Sequence, residues 1–169
     1  KAETSPFVAV IDGVANADNM GAIFRNARAF GAGGVLLSPG CCDPLYRKAI
    51  RVSIGATLVV PWAGIEDWPR GLQAVRERGY QLATLTVRGD AVELEDYART
   101  LPRRVAWVLG HEGHGVSPDA EALADVAVRI GMEPGADSIN VAAAAGMAMY
   151  FSRRRVAGFR PDSRHAGVD

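Results

Sequence analysis

Hydrophobic and polar positions along this chain follow two periods. Short apolar runs read as strands: FVAVID (7–12), GVLLS (34–38), TLVVP (57–61), YQLATLTV (80–87), RVAWVLG (104–110) and DVAVRIGM (125–132). Between them lie stretches with a helical period. In residues 19–31, Met20, Ile23, Phe24, Ala27 and Phe30 form one apolar stripe, and Gly31 closes it. Residues 44–56 are expected to be helical for part of their length, and 67–79 form a helix ended by Gly79. The stretch 88–104 is polar and mixed, and reads as loop with a short helix. Ser117 followed by Pro118 opens a helix over 117–124, and a last helix runs from about 139 to 155.

The order βαβαβαβ(α)βαβα predicts an α/β domain with a mostly parallel sheet and helices on both faces. Ligands bind such sheets beyond the carboxyl ends of the strands. The loops 12–19, 38–44, 86–92, 110–117 and 131–139 are therefore the places to look for chemistry. No domain boundary is visible: residues 1–155 read as one domain and 156–169 as a loose tail.

Composition narrows the class. A chain of 169 residues, 49% hydrophobic and 22% charged, is long enough and apolar enough to bury one sizeable core. No apolar run approaches the roughly 20 residues that span a bilayer, so no membrane partner is expected. The N-terminus lacks the layout of a signal peptide. It also lacks Met, which fits a processed chain or a piece of something longer. With 19 basic and 19 acidic side chains the net charge is zero, whereas a dedicated nucleic-acid binder is usually basic. A strong grip on RNA by this domain alone is disfavoured; a local basic patch is not. Cys41 and Cys42 are adjacent, a geometry that strains a disulfide. Unpaired thiols point to a reducing compartment, and the cytoplasm is the expected location.

Three stretches carry candidate chemistry. In DGVANADNMGAIFRNARAFG, Asn19 stands at the helix start and Gly21 follows; Arg25 and Arg28 lie three apart, off the apolar stripe. Either Asn19 caps the helix and both arginines are solvated, or Arg25 points into a ligand site. In VLGHEGHGVSPD a strand runs into Gly110, His111, Glu112, Gly113, His114 and Gly115. Glycines there permit a sharp turn and close approach to the backbone. His111 and His114 are three apart in a turn, unlike the helical H-E-x-x-H spacing of zinc enzymes, so no metal is expected. Neither a phosphate loop nor a G-x-G-x-x-G dinucleotide fingerprint is present. In IGMEPGADSINVAAAAGMAMYF, Ser138 or Asn140 can cap a helix whose Ala142 to Ala145 and Gly146 allow very close packing.

Together these stretches resemble the SPOUT superfamily, and within it the SpoU/TrmH-type RNA ribose 2′-O-methyltransferases. Asn19, Gly21 and Arg25 match the first motif of that family. Leu109, Gly110, Glu112, Gly113 and Gly115 match the second; Ile130, Met132, Ser138, Asn140 and Val141 match the third. Arg51, Ser53, Gly55 and Ala56 resemble the family's Arg-x-Ser-x-Gly-Ala element. The resemblance covers residues 7 to about 155. Departures are Gly131 where the family usually has Pro, Ala142 and its neighbours after Asn-Val, and His111 and His114 at variable places.

The resemblance implies a C-terminal trefoil knot with the alanine helix as the knotted segment. It implies S-adenosylmethionine as cofactor, held near Leu109, Gly110, Ile130 and Met132, with Ser138 and Asn140 supporting both its methionine end and the catalytic site, and the loop at Thr86 beside it. It implies methyl transfer to a ribose 2′-hydroxyl of tRNA or rRNA. Arg25 is nominated to polarise the hydroxyl, and Asn19 and Glu112 to orient Arg25 and the ribose. A guanidinium is always protonated, which suits polarisation rather than proton abstraction. A homodimer is implied, with the first and last helices as interface, and an upstream RNA-binding domain in many relatives. Arg153 to Arg155, Arg160 and Arg164 either touch RNA phosphates or are solvated. The rival readings are a SPOUT base methyltransferase and a non-catalytic RNA-binding protein of the same fold.

Overall fold

The computed structural model describes residues 5–153. The expected tail 156–169, and Arg154, Arg155, Arg160 and Arg164, lie outside the described residues.

Seven strands form one sheet: β1 (Phe7–Ile11), β2 (Val35–Leu37), β3 (Trp62–Gly64), β4 (Gln81–Leu85), β5 (Val92–Glu93), β6 (Val105–Leu109) and β7 (Val126–Arg129). Their order is β3-β2-β1-β6-β4-β7-β5, and every pairing is parallel. The helices are α1 (Ala17–Phe30), α2 (Arg47–Val52), α3 (Leu72–Glu77), α4 (Leu94–Arg99), α5 (Pro118–Leu123) and α6 (Val141–Arg153).

The central pair, β1 and β6, runs in register from Phe7 beside Val105 to Ile11 beside Leu109, and all ten residues are buried. Side chains alternate across a strand, so a strand covered on both faces must be apolar throughout. Phe7, Ala9, Ile11, Val105, Trp107 and Leu109 enter the larger core, with Ile23, Phe24 and Met149 from α1 and α6. Val8, Val10, Ala106 and Val108 enter the smaller one, with Leu72, Val75 and Ala120 from α3 and α5.

Two close helix contacts set the shape under the larger face. A Cβ on Gly21 of α1 would lie 2.7 Å from the Ala49 carbonyl oxygen and 2.8 Å from Val52 Cβ, so α2 presses directly on the α1 backbone. On another side of α1, Asn26 Nδ2 donates to the Ala142 carbonyl at 2.7 Å, locking α6 to α1. Gly146 leaves room for that amide.

The structure departs from the expected elements at four places. The helix expected over 67–79 forms only over Leu72–Glu77. The run 57–61 is not a strand. Ile54 and Gly55 take left-handed conformations, a 3-10 turn follows over Ala56–Leu58, and pairing begins only at Trp62. Ser53 is the reason: its Oγ donates to the Ile50 carbonyl at 3.0 Å and accepts from Thr57 N at 3.3 Å, pinning the turn. A β-branched run suits a strand locally, but this tertiary anchor overrides it. The polar stretch 88–104 holds the two-residue strand β5, paired to β7, as well as α4. Finally, Asn19 does not cap α1. Asn16 does, its Oδ1 accepting from Asp18 N at 2.8 Å and Asn19 N at 3.2 Å. Among the described residues, no helix is long and apolar enough to cross a membrane.

Candidate active site

The loop after β6 folds back on itself. His111 and Gly115 exchange two backbone hydrogen bonds, each 2.9 Å. Gly115 has φ +72°, and a Cβ on Gly110 would fall 2.0 Å from the Gly115 carbonyl carbon. Only glycine at 110 lets the returning strand of the loop close this tightly. Inside the ring, Gly113 N donates to Nδ1 of His111 at 2.9 Å, and the His111 and His114 rings stack with centroids 5.0 Å apart. The ring's proton then belongs on Nε2, which faces Glu112 Oε2 at 3.8 Å. The base of the loop is tied to the sheet through buried Asp12. Its Oδ2 accepts from Ser117 N at 2.7 Å, and its Oδ1 from Ser38 Oγ at 3.3 Å.

Because Asn16 satisfies the α1 N-terminus, the Asn19 side chain is available for tertiary contact. Its Nδ2 donates to Glu112 Oε1 at 2.8 Å, and its Oδ1 accepts from Asn140 Nδ2 at 2.8 Å. Asn140 caps α6, its Oδ1 accepting from Ala142 N at 2.8 Å and Ala143 N at 3.3 Å. Three side chains, one from each candidate stretch, thus form a single hydrogen-bonded line.

This line lies on a cleft of about 870 Å³ beyond the carboxyl ends of β4, β6 and β7. Asn19, Glu112, Ser138 and Asn140 line it, as do Thr86, Leu109, Gly110, Ile130 and Met132. Ser138 makes no hydrogen bond among the described residues and is exposed on the rim. Arg25 is not part of the lining. It is exposed on α1, six residues and so about 9 Å further along the helix than Asn19. Arg28 is exposed too.

Some lining residues carry no signal in the sequence. Leu85 does not, and with Val141 of the third motif and Ala144 of the alanine row it makes part of the wall apolar. Arg88 closes one side, paired to Asp90 at 2.6 Å and to Glu121 at 3.3 Å. The Arg88 guanidinium holds the Asp90 carboxyl below the usual carboxylate range, and Asp90 in turn raises Arg88. A lone Arg in a polar loop has no periodic signature, which is why pattern reading passes over it. Gly131, which replaces the proline expected by resemblance, lies under Glu93: a Cβ there would sit 3.0 Å from Glu93 Oε2, and Glu93 pairs with Arg129.

Away from the cleft, Cys41 Sγ donates to the Ile11 carbonyl at 3.4 Å, and burial pushes its thiol pKa up. Among the described residues no group of three or more His, Cys, Asp and Glu side chains is placed to hold a metal ion.

Residues 6–150 match the family model described as the SpoU rRNA Methylase family. The chain is 45% identical over 144 residues to an uncharacterized tRNA/rRNA methyltransferase of Mycobacterium bovis, which covers 85% of this chain and 50% of that protein. It is 29% identical over 150 residues to a 23S rRNA (guanosine-2′-O-)-methyltransferase, RlmB, of Neisseria meningitidis, covering 89% of this chain and 59% of that protein. The fold superposes with TM-score 0.80 and 27% identity on the SpoU methyltransferase AviRb of Streptomyces viridochromogenes solved with AdoMet, covering 89% of this chain and 60% of that one. The chain spans about half the length of the M. bovis relative.

Proposed function

The chain belongs to the SpoU rRNA methylase family, and from that premise we propose that it transfers a methyl group from S-adenosylmethionine to a ribose 2′-hydroxyl of tRNA or rRNA. The observation that carries this reading is the line Glu112–Asn19–Asn140, which joins the three motif stretches on one cleft at 2.8 Å per link.

The cleft suits the cofactor in size and chemistry. Its volume of about 870 Å³ falls in the range of small-molecule sites, roughly 300–1,000 Å³. Leu85, Ile130 and Val141 offer apolar wall, while Ser138 offers a polar group with no hydrogen-bond partner among the described residues. On this reading Leu109, Gly110, Ile130 and Met132 hold the adenosine end, with Thr86 beside them, and Ser138 and Asn140 hold the methionine end. The bound cofactor supplies a methyl group on a positively charged sulfur. The hydroxyl oxygen forms the new bond to carbon, the carbon–sulfur pair leaves with sulfur, and the hydroxyl proton must be accepted elsewhere.

Asn19 and Glu112 orient the ribose. Arg25 polarises the hydroxyl and stabilises the developing alkoxide, and a substrate phosphate takes the proton. Arg25 lies outside the cleft of its own protomer, so this role calls for a second copy that brings its α1 to the site. Met147 and Tyr150 are exposed on α6, Tyr150 packs edge-on to Phe30 of α1 at 5.9 Å, and this apolar face is the proposed dimer contact. The trefoil knot belongs to the same proposal, supported by the close fit of small-faced α6 against α1. So does a cytoplasmic place of work.

Calorimetric titration with S-adenosylhomocysteine tests the pocket. One site per subunit, weakened in Asn140→Ala, is the expected result, followed by alkali-resistant dinucleotides in RNA after reaction. A folded chain without saturable binding overturns the enzymatic reading in favour of RNA binding alone.

A further inference from the structure

The structure has a second cavity, separate from the cleft, on α2. Tyr46, Arg47, Lys48, Arg51 and Val52 line about 510 Å³ of it. Three cations and an aromatic ring within six residues stand out in a chain whose net charge is zero. Their partners differ. Lys48 Nζ pairs with Asp18 Oδ2 at 2.6 Å, and this hydrogen bond raises the lysine pKa. Asp18 precedes Asn19, so the pair links the cavity wall to the line of side chains on the cleft. Arg47 and Arg51 have no ion-pair partner among the described residues. They stand at i and i+4 on one helix face, where like charges repel. The other members of the Arg51-x-Ser53-x-Gly55-Ala56 element have internal duties: Ser53 pins the turn, Gly55 has φ +72°, and Ala56 is buried. Arg51 alone points to solvent, and Tyr46 beside it is 56% exposed.

Two guanidinium groups with no ion-pair partner among the described residues, beside an exposed aromatic face, match the parts of a single-stranded nucleotide. We propose that this cavity is an RNA subsite, adjacent to the methyl-transfer cleft, for a nucleotide flanking the modified one. Its phosphodiester lies between Arg47 and Arg51 and its base stacks on Tyr46. The assignment rests on the RNA methyltransferase reading and locates part of its substrate.

The test is fluorescence anisotropy of the full chain with a fluorescein-labelled, mixed-sequence single-stranded RNA over a series of salt concentrations. Removing one phosphate-binding cation lowers the slope of log K against log salt by about 0.7, so R47Q/R51Q lowers it by about 1.4. Tyr46→Ala weakens binding about fivefold or more, and Tyr46→Phe retains it. R70Q/R103Q, which removes two exposed arginines elsewhere, leaves the slope unchanged. All variants are expected to bind S-adenosylhomocysteine as the parent does. Unchanged slope and affinity in R47Q/R51Q overturn the subsite, as does a parent chain that binds S-adenosylhomocysteine but no RNA. Loss of dimer in sedimentation with RNA binding intact also overturns it, by assigning the cavity to a protein contact. A parent chain that binds RNA through these arginines but never S-adenosylhomocysteine overturns the methyltransferase reading and leaves the subsite standing.

Discussion

Asn140 donates its side-chain amide to Asn19 Oδ1 at 2.8 Å across 121 residues of chain, and the direction of that bond is fixed from both ends. At one end Glu112, as a carboxylate, only accepts, so Asn19 must present its NH₂ there. At the other end Ala142 and Ala143 present backbone N–H groups, so Asn140 must turn its oxygen to them. Neither amide can flip without facing like with like. The positive N-terminal end of α6 is thereby connected to the Glu112 carboxylate through two amides of set polarity.

This coupling predicts non-additive mutants. Asn140→Ala loses the α6 cap, worth about 1 kcal/mol, and the link to Asn19. Asn19→Ala loses the same link and strands Glu112. In a double-mutant cycle read by chemical denaturation, the two are expected to couple by about 0.5 kcal/mol or more. Glu112→Gln can donate as well as accept, so it is expected to keep the fold while lowering methyl transfer. Strict additivity of Asn19→Ala and Asn140→Ala would show that the line is not a unit.

Two glycines separate packing from propensity. Alanine raises helix stability over glycine by up to about 1 kcal/mol. At Gly21 the new Cβ meets backbone oxygen of Ala49 at 2.7 Å, which cannot move without α2. Overpacking dominates there, and Gly21→Ala is expected to cost about 2 kcal/mol net, or about 5 °C in Tm. At Gly146 the nearest atoms to the new Cβ belong to the Asn26 side-chain amide, the first at 3.1 Å. Gly146→Ala is expected to fall within about 0.5 kcal/mol of the parent. Thermal melts of the two variants decide the point.

Much of this arrangement is legible in the sequence, and the rest is missing for physical reasons. The buried strands β1 and β6 are plain because a strand covered on both faces must be apolar. Strand order is not readable, since nothing local says that β6 lies between β1 and β4. The α1 cap misleads because Asn16, Asp18 and Asn19 all suit an N-cap, and only the fold decides which is used. The motif residues stand out by resemblance. That Asn19 reaches Glu112, 93 residues away, follows from topology alone. Asn26, which locks α6 to α1, carries no pattern that distinguishes it from a solvated amide.

Gly110→Ala is the sharpest test of the loop after β6. Its Cβ would sit 2.0 Å from both the Gly115 carbonyl carbon and Val116 N, inside the ring closed by His111 and Gly115. The buried sheet below does not depend on that ring, so the variant is expected to fold. The loop must open by roughly an ångström or more. Displacements of that size cost about a hundredfold in rate where positioning carries catalysis. S-adenosylhomocysteine titration is expected to weaken in parallel. Full activity in a folded Gly110→Ala chain would remove the loop from the site.

Tyr97 gives the fold a defined alkaline limit. Its hydroxyl donates to Gln81 Oε1 at 2.6 Å, and its ring meets Trp107 edge-on at 5.6 Å. Burial, followed by the Asp125 carboxylate, raises its pKa well above the ordinary value of 10.0. In the unfolded chain the phenol ionises near that ordinary value; in the folded chain it stays protonated beyond it. The unfolded state therefore binds fewer protons in this window, and stability falls as pH rises. The contribution is complete below about pH 10 and is lost above it, at up to about 1.4 kcal/mol per pH unit. Tyr97→Phe is expected to be about 1 kcal/mol less stable at neutral pH, from the lost hydrogen bond. It should converge on the parent as pH climbs past about 10, because phenylalanine has no proton to lose. Tyr80, Cys41 and Cys42 are also raised by burial, but they are common to both proteins and cancel in the difference. Urea unfolding of the two chains from about pH 7 to about pH 11 measures that difference directly. Parallel curves would mean that the Tyr97 phenol ionises alike in both states, and that its burial has no bearing on the alkaline limit.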